Sequence, residues 1–244
     1  MLSGTADLAT LALRAPVMGA LDGAPLHLED VEVLQAAFEL PYATRERCLP
    51  PGLHPTTPPL LVLLAWHVTT SPWGTFTMAQ ARVSCRSGVR PRGFVTGCIV
   101  DNADAGAALA SERGLPTAPG RVELQRGYDR VELIATVDGA TAVALVGADP
   151  EPLSPGDAQF TVTTTLAQTP RGLRLVQVEP EYDLRRVERA RPRLAGFDGR
   201  HWGLADIAPR YPLAATISVG DITVPSIRFV SRPDVTAFEG TEKV

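Results

Sequence analysis

The chain has 244 residues, of which 45% are hydrophobic and 20% charged, enough apolar material for the core of a globular domain. Its net charge of -4 and the lack of a basic cluster argue against nucleic acid or an anionic membrane surface as the main partner. The three cysteines have no C-x-x-C spacing, so the sequence indicates neither a disulfide framework nor a zinc site.

The only lysine is Lys243, beside the C-terminal residue. A mechanism that needs a buried amine nucleophile is therefore excluded unless this tail residue supplies it. No charged segment followed by an apolar core opens the chain, and the apolar run from Pro58 to Trp66 is too short to span a bilayer. We therefore expect a soluble, cytoplasmic protein.

The first elements alternate in the manner of strands. Residues 28–40 fit a strand at their start and a helix further on, and periodicity alone leaves both open. Leu60–Thr70 and Thr75–Arg86 flank a Pro72-Trp73-Gly74 turn and predict a hairpin. A short strand over Gly93–Val100 follows. Asp101-Asn102 then caps an alanine-rich helix that ends at Gly114, a residue suited to a left-handed C-cap.

The second half predicts further hairpins around short turns. Asp138-Gly139 is the strongest two-residue hairpin signal, Thr169–Gly172 separates two more alternating runs, and Gly220-Asp221 is assigned a third turn. Several hairpins, one central helix and 22 prolines indicate a mainly antiparallel β (α+β) fold whose sheet curls or closes. We expect one domain over residues 1–244, with a core of about residues 30–230.

Several short motifs then occur in an order that resembles a known family. They are Leu49-Pro50-Pro51-Gly52-Leu53, Gly74-Thr75-Phe76-Thr77, Val100-Asp101-Asn102, Gly114-Leu115-Pro116 and the closing Leu204-Ala205-Asp206-Ile207-Ala208-Pro209. Their joint order is similar to that of the acetoacetate decarboxylases. The resemblance implies a closed, cone-like antiparallel β-barrel with an interior pocket and a few short helices.

The family's catalytic lysine is missing from this sequence. In the family, a Tyr-Pro-Lys-Lys or Phe-Pro-Lys-Lys segment supplies the lysine that forms a Schiff base, an activated amine that is a standard example of its kind. Here the segment is Leu115-Pro116-Thr117-Ala118, so Thr117 stands at the imine position and Ala118 beside it. Because threonine cannot form an imine, the resemblance implies a member that does not use Schiff-base decarboxylation.

The family's other charged pocket residues are replaced in the same way. The alignment puts Met78 and Leu63 at its two pocket glutamates and Val31 near its arginine, and Gly-Arg-Glu becomes Leu109-Ala110-Ser111. Apolar residues in place of buried charges are consistent with a pocket adapted to a hydrophobic ligand. They are equally consistent with a protein that has lost its activity and whose interior is filled by side chains.

Strand alternation then nominates the pocket residues. If Leu63 and Met78 both point inward, Ala65 and His67 share the face of Leu63, while Phe76, Gln80 and Arg82 share that of Met78. We predict that catalysis involves His67, Gln80 and Thr117, and that Leu63, Ala65, Trp66, Phe76, Met78 and Ala118 contact the substrate. Each polar candidate also has a purely structural explanation. His67 would form its hydrogen bonds at a strand end, Gln80 and Thr117 would form hydrogen bonds to nearby residues, and Trp66 would pack in the core.

These residues favour an enzyme of natural-product biosynthesis that needs no metal or other cofactor. It would cyclise or isomerise a hydrophobic, polyketide-like intermediate, including by a pericyclic reaction, through orientation and a few hydrogen bonds. The alternatives are an acid–base dehydratase or enol isomerase with His67 as base, a non-catalytic small-molecule carrier, and residual decarboxylation. Homo-oligomers are common in the family, although no sequence feature here indicates one.

Overall fold

The computed structural model describes residues 2–244. Its strands are β1 (Leu26–Glu39), β2 (His54–Pro55), β3 (Leu60–Thr70), β4 (Phe76–Ser87), β5 (Arg90–Val100), β6 (Thr117–Pro119), β7 (Arg121–Arg126), β8 (Arg130–Val137), β9 (Ala140–Leu153), β10 (Thr163–Thr169), β11 (Gly172–Val178), β12 (Glu181–Phe197), β13 (Pro212–Val224), β14 (Phe229–Ser231) and β15 (Thr241–Lys243). The helices are α1 (Leu8–Ala12), α2 (Ala103–Arg113) and α3 (Ala237–Gly240), with short 3-10 turns at Tyr42–Thr44, Pro155–Asp157 and Gly199–Trp202.

All of these strands belong to one sheet. Its order is β15-β14-β11-β10-β5-β4-β3-β1-β13-β12-β9-β8-β7, with β2 beside β4 and β6 beside β5. Pairing is antiparallel except for β10 and β6, which both run parallel to β5. The two end strands, β15 and β7, are not paired with each other, although β7 folds back to pack near β3 and β4. The mainly antiparallel β fold is confirmed, but no hydrogen-bonded closure of a barrel is found among residues 2–244.

Most of the predicted turns and caps are found. The β8–β9 turn has Asp138 at φ 51° and Gly139 at φ 79°, the left-handed pair that a type I′ hairpin requires. Asn102 caps α2 by accepting hydrogen bonds from two backbone amides, and Gly114 ends the helix at φ 66°. The open question over residues 28–40 is settled, because β1 is a strand throughout.

The predicted turn at Gly220-Asp221 was wrong. Both residues lie inside β13, which pairs with β1 and β12 at once. A Cβ on Gly220 would collide with the carbonyl oxygen of Asp183. Glycine at this position therefore lets the two strands approach each other closely and does not form a turn. Asp221 instead accepts a hydrogen bond from the amide of Asp30 (2.8 Å) and one from Arg185 (2.9 Å).

The central strands bury both faces. On one face, Leu61, Leu63 and Ala65 of β3 join the larger apolar cluster. On the other, Leu64, Trp66 and Val68 pack with Ala105 and Leu109 of α2. We call this second side the α2 face and the first the opposite face. None of the helices formed by residues 2–244 has the length and apolarity needed to cross a membrane.

Candidate active site

A row of side chains crosses five neighbouring strands on the α2 face. Gln35, Leu64, Gln80, Cys98 and Thr117 are successive cross-strand partners from β1 to β6. Because directly opposed residues in a sheet point to the same side, their side chains form one line. The structure therefore brings together Gln80 and Thr117, two of the three predicted catalytic residues.

The register separates the third, His67, from this row. Trp66 is the cross-strand partner of Met78, and Leu64 is the partner of Gln80, so even-numbered residues of both strands share the α2 face. His67 points to the other side, where its Nδ1 lies 3.0 Å from Oγ1 of Thr77. His67 and Gln80 were assumed to share one face of the sheet. The register contradicts this, because odd- and even-numbered residues of these strands point to opposite faces.

The predicted contact residues divide in the same way. Trp66, Phe76 and Met78 lie on the α2 face. Leu63 and Ala65 lie in the cluster of the opposite face, so the register places Leu64 beside Gln80 where the alignment had suggested Leu63. An offset of one residue in the alignment of β3 is enough to produce this change, because neighbouring residues of a strand point to opposite faces of the sheet.

Arg82 is the main charged group of the α2 face, and it is buried to 1% exposure. Its Nε and Nη2 both donate to Oε1 of Gln80, at 3.0 Å and 2.7 Å, and its Nη1 donates to the carbonyl oxygen of Thr161 at 2.7 Å. Among residues 2–244, no carboxylate lies within 4.0 Å of this guanidinium. Burial lowers the pKa of Arg82, since a charge without a counterion is poorly solvated here.

Two further hydrogen-bond donors lie near Arg82. The rings of Trp66 and Tyr182 meet edge to face, with centroids 6.3 Å apart. Within the described chain, Nε1 of Trp66 and the hydroxyl of Tyr182 are buried; they lie close to each other but outside good hydrogen-bond geometry, and neither has another partner. Burial raises the pKa of Tyr182 to about 12, against the opposing charge of Arg82 and a weaker influence of the Trp66 N–H. At neutral pH the Tyr182 phenol is therefore protonated and can donate.

Cys98 completes the surroundings of Arg82. Burial raises the pKa of this thiol to about 12, opposed by the charge of Arg82 and by a hydrogen bond from Gln80. Its proton is therefore retained at neutral pH, and the thiol is neither a base nor a nucleophile. Arg82, Trp66, Tyr182 and Gln80 together carry several N–H and O–H groups, and we call these four residues the donor cluster.

A segment between β9 and β10 covers the donor cluster. Gln35 donates from Nε2 to the carbonyl of Gln159 (2.9 Å) and accepts at Oε1 from the amide of Thr161 (3.1 Å). Phe160, between them, stacks on Tyr182 with ring centroids 4.2 Å apart and planes at 17°. We call residues 158–162 the cover segment.

Thr117 and Ala118 lie at the edge of this region. The Thr117 hydroxyl donates to the carbonyl of Gly106 in α2 at 3.0 Å. Both residues line a cleft of about 240 Å³ between α2 and β6. The only lysine, Lys243, is exposed on the edge strand β15.

Sequence reasoning placed Arg82 on the face of Met78 by alternation but did not select it. The signal in the sequence that could have identified Arg82 is its alternation with Gln80 along β4. Nothing in the sequence pointed to Tyr182 or Phe160, because they reach the donor cluster from β12 and from the cover segment through long-range folding.

Comparison with known proteins identifies the architecture. No family model and no curated protein matches the sequence. The acetoacetate decarboxylase from Legionella pneumophila superposes with a TM-score of 0.74 at 14% identity, over 85% of this chain and 88% of that one. The chain has the acetoacetate decarboxylase fold.

Two biosynthetic or related enzymes share this acetoacetate decarboxylase fold. The enduracididine biosynthesis enzyme MppR, in its complex with pyruvate, gives a TM-score of 0.71 at 18% identity, over 86% of this chain and 91% of that one. An acetoacetate decarboxylase-like enzyme from Sphingomonas wittichii RW1 gives 0.64 at 16% identity, over 84% and 92%. At these identities the likeness defines the fold, and the functional argument rests on the residues of this chain.

Proposed function

We propose that this protein is a biosynthetic enzyme that binds an oxygen-rich carbonyl compound at the donor cluster and cyclises or isomerises it without a Schiff base. The observation that carries the proposal is Arg82, a fully buried arginine with no carboxylate partner among the described residues. A buried charge without a counterion is costly, and a bound oxyanion would remove that cost. A carboxylate, enolate or β-dicarbonyl oxygen meets this requirement.

The chemistry of the donor cluster favours hydrogen-bond activation over acid–base catalysis. Tyr182 and Cys98 both keep their protons at neutral pH because burial raises each pKa to about 12. His67, the base of the dehydratase alternative, lies on the other side of the sheet. Donors aimed at a carbonyl oxygen stabilise the negative charge that develops there, which assists pericyclic and conjugate-addition ring closures or enol isomerisation.

The substrate has an apolar part as well as an oxyanion. Leu64, Phe76 and Met78 form the apolar wall next to the donor cluster, each at 1% exposure or less. A polyketide-like intermediate combines a hydrophobic body with repeated carbonyl groups and suits both parts of this site. The pyruvate bound by MppR is a simpler oxo acid and a convenient first probe for Arg82.

Entry requires movement of the cover segment. Phe160 stacks on Tyr182, and the backbone of Thr161 occupies one edge of the Arg82 guanidinium. A ligand oxygen would take the place of the Thr161 carbonyl as the acceptor from Arg82. The cover segment would then lose its bond to Arg82 and keep its hydrogen bonds to Gln35. Closing over the ligand would exclude water and strengthen the hydrogen bonds from Arg82.

Comparing metabolites by mass spectrometry between the native host and a strain that lacks the gene tests this function. We expect a compound to accumulate with the same mass as the product that disappears, as for a cyclase or isomerase. A compound heavier by one water would indicate a dehydratase instead, and one heavier by carbon dioxide would show that decarboxylation is retained. No metabolite change would favour a carrier.

A further inference from the structure

A second cleft opens between α1, β5 and the turn at Gly199–Trp202. Its volume is about 70 Å³. Leu11, Phe94 and Leu166, which pack with the core of the opposite face, form its apolar side. The apolar side of the cleft therefore belongs to the opposite face, although Val95, the cross-strand partner of Arg82, also lines the cleft.

Two arginines, Arg14 and Arg47, line the same cleft. Most arginines of this chain pair with a carboxylate, as Arg126 does with Glu32 at 2.7 Å. Over the part of the chain that the structure describes, neither Arg14 nor Arg47 has a carboxylate within 4.0 Å. Both arginines are exposed to solvent, so water solvates their charges, and no carboxylate of the described chain competes for them at the cleft.

The backbone makes room for Arg14. A Cβ on Gly203 would meet Nη1 of Arg14, so the end of the guanidinium rests against this glycine, and a larger residue there would make the flexible arginine shift. Gly203 also has φ 70°, which independently favours glycine. Burial lowers the pKa of Arg14, and no neighbouring carboxylate offsets that effect.

Arg47 lines the cleft next to Cys48 in the sequence. Its charge acts on the thiol of Cys48, which also lines the cleft and whose pKa burial raises to about 12. Because the thiol keeps its proton at neutral pH, it does not neutralise either arginine. The site thus combines two unpaired guanidinium groups with a short apolar wall.

We propose that this cleft binds a small carboxylate with a short alkyl chain, separately from the substrate at the donor cluster. Guanidinium groups pair with carboxylates through parallel N–H···O bonds, and two of them can hold both oxygens. The apolar side formed by Leu11, Phe94 and Leu166 favours an organic acid over inorganic phosphate. The small volume limits the chain to a few carbon atoms.

Isothermal titration with butyrate at low ionic strength tests this site, with inorganic phosphate as the second probe. The test variant is Arg14→Gln with Arg47→Gln. Its matched control is Arg193→Gln with Arg210→Gln, which removes the same charge from two exposed arginines that also have no carboxylate within 4.0 Å among residues 2–244. Arg82→Met separates this cleft from the donor cluster.

We expect the Arg14/Arg47 variant to bind butyrate at least about tenfold more weakly, because it loses the charge-assisted hydrogen bonds to the carboxylate. The Arg193/Arg210 variant should bind butyrate like the wild type, and Arg82→Met should keep the binding that the Arg14/Arg47 variant loses. Unchanged binding in the Arg14/Arg47 variant, or loss of binding in Arg82→Met alone, would overturn the assignment. So would tighter binding of phosphate than of butyrate. Thermal unfolding without ligand identifies any variant that fails to fold.

Discussion

The guanidinium of Arg82 donates two hydrogen bonds to one oxygen, Oε1 of Gln80, at 3.0 Å and 2.7 Å. This arrangement fixes the amide orientation of Gln80, whose Nε2 then points to the sulfur of Met78 at 3.4 Å. A neutral amide satisfies the geometry of the arginine but does not neutralise its charge. The pair therefore holds a buried cation whose charge is not neutralised within the pair.

Replacing the two residues of this pair singly and together should give a non-additive effect on stability. We expect Arg82→Met to lower the free energy of unfolding by about 1–3 kcal/mol, because the oxygens of Gln80 and Thr161 lose their donor. Arg82→Met with Gln80→Leu should cost less than the sum of the two single changes, since no buried amide is left without a partner. Urea titrations of the four proteins measure this cycle. Strict additivity would mean that the pair does not act as a unit.

Releasing the cover segment should leave the fold intact. In Gln35→Leu, the segment loses the bonds from Gln35 Nε2 to Gln159 and from the Thr161 amide to Gln35 Oε1. We expect amide exchange at Thr161 to become at least about tenfold faster, which corresponds to roughly 1.4 kcal/mol of local opening.

Hydrogen exchange with mass analysis of the 158–162 peptide measures this opening. Gln125→Leu, at an exposed position of β7, is the matched control and should leave the exchange unchanged. Equal exchange in wild type and Gln35→Leu would contradict the role given to Gln35.

The sequence predicted the local elements well where short-range chemistry determines them. The Asp138-Gly139 turn, the Asn102 cap and the Gly114 stop each depend on the conformational preference of one or two residues. The turn predicted at Gly220 was wrong because glycine also permits close strand approach, and the composition of a short window does not distinguish these roles.

The candidate site was predicted only in part, for a physical reason. Alternation within one strand places Gln80 on the face of Met78, and Thr117 is predicted because it stands at the imine position of the family that the sequence resembles. The relation between His67 and Gln80 depended on the register of the β3–β4 hairpin, and a shift of one residue moves a side chain to the other face. Tyr182 comes from a strand about a hundred residues further along, and no local pattern indicates such a contact.

The three thiols should be unreactive in the folded protein. Burial raises the pKa of Cys48, Cys85 and Cys98 to about 12 each, so the thiolate needed for alkylation is scarce near neutral pH. We expect negligible labelling by iodoacetamide at pH 8 in buffer and labelling of three thiols in denaturant. Mass spectrometry of the intact protein counts them, and fast labelling of native Cys98 would contradict the packed donor cluster.

The same groups predict a loss of stability in alkali. For each thiol the pKa rises from 9.0 to about 12 on folding, and for Tyr182 from 10.0 to about 12. A raised folded-state pKa means that the contribution to stability is complete below the unfolded value and is lost as the pH rises through the folded value. We therefore expect the unfolding midpoint in urea to fall between pH 9 and 12. A midpoint that stays level over this range would contradict the burial of these groups.

Arg82 is proposed to act on its substrate without a covalent intermediate, and turnover by the purified protein tests this role. The compound that accumulates in the deletion strain is incubated with wild type, Arg82→Met or Arg113→Met, with and without borohydride. Arg113 is a second buried arginine, at 1% exposure and outside the donor cluster. We predict that wild type and Arg113→Met convert the compound to a product of equal mass with no trapped adduct, and that Arg82→Met does not convert it. A reduced adduct on the protein, release of carbon dioxide, or full activity of Arg82→Met would contradict the account.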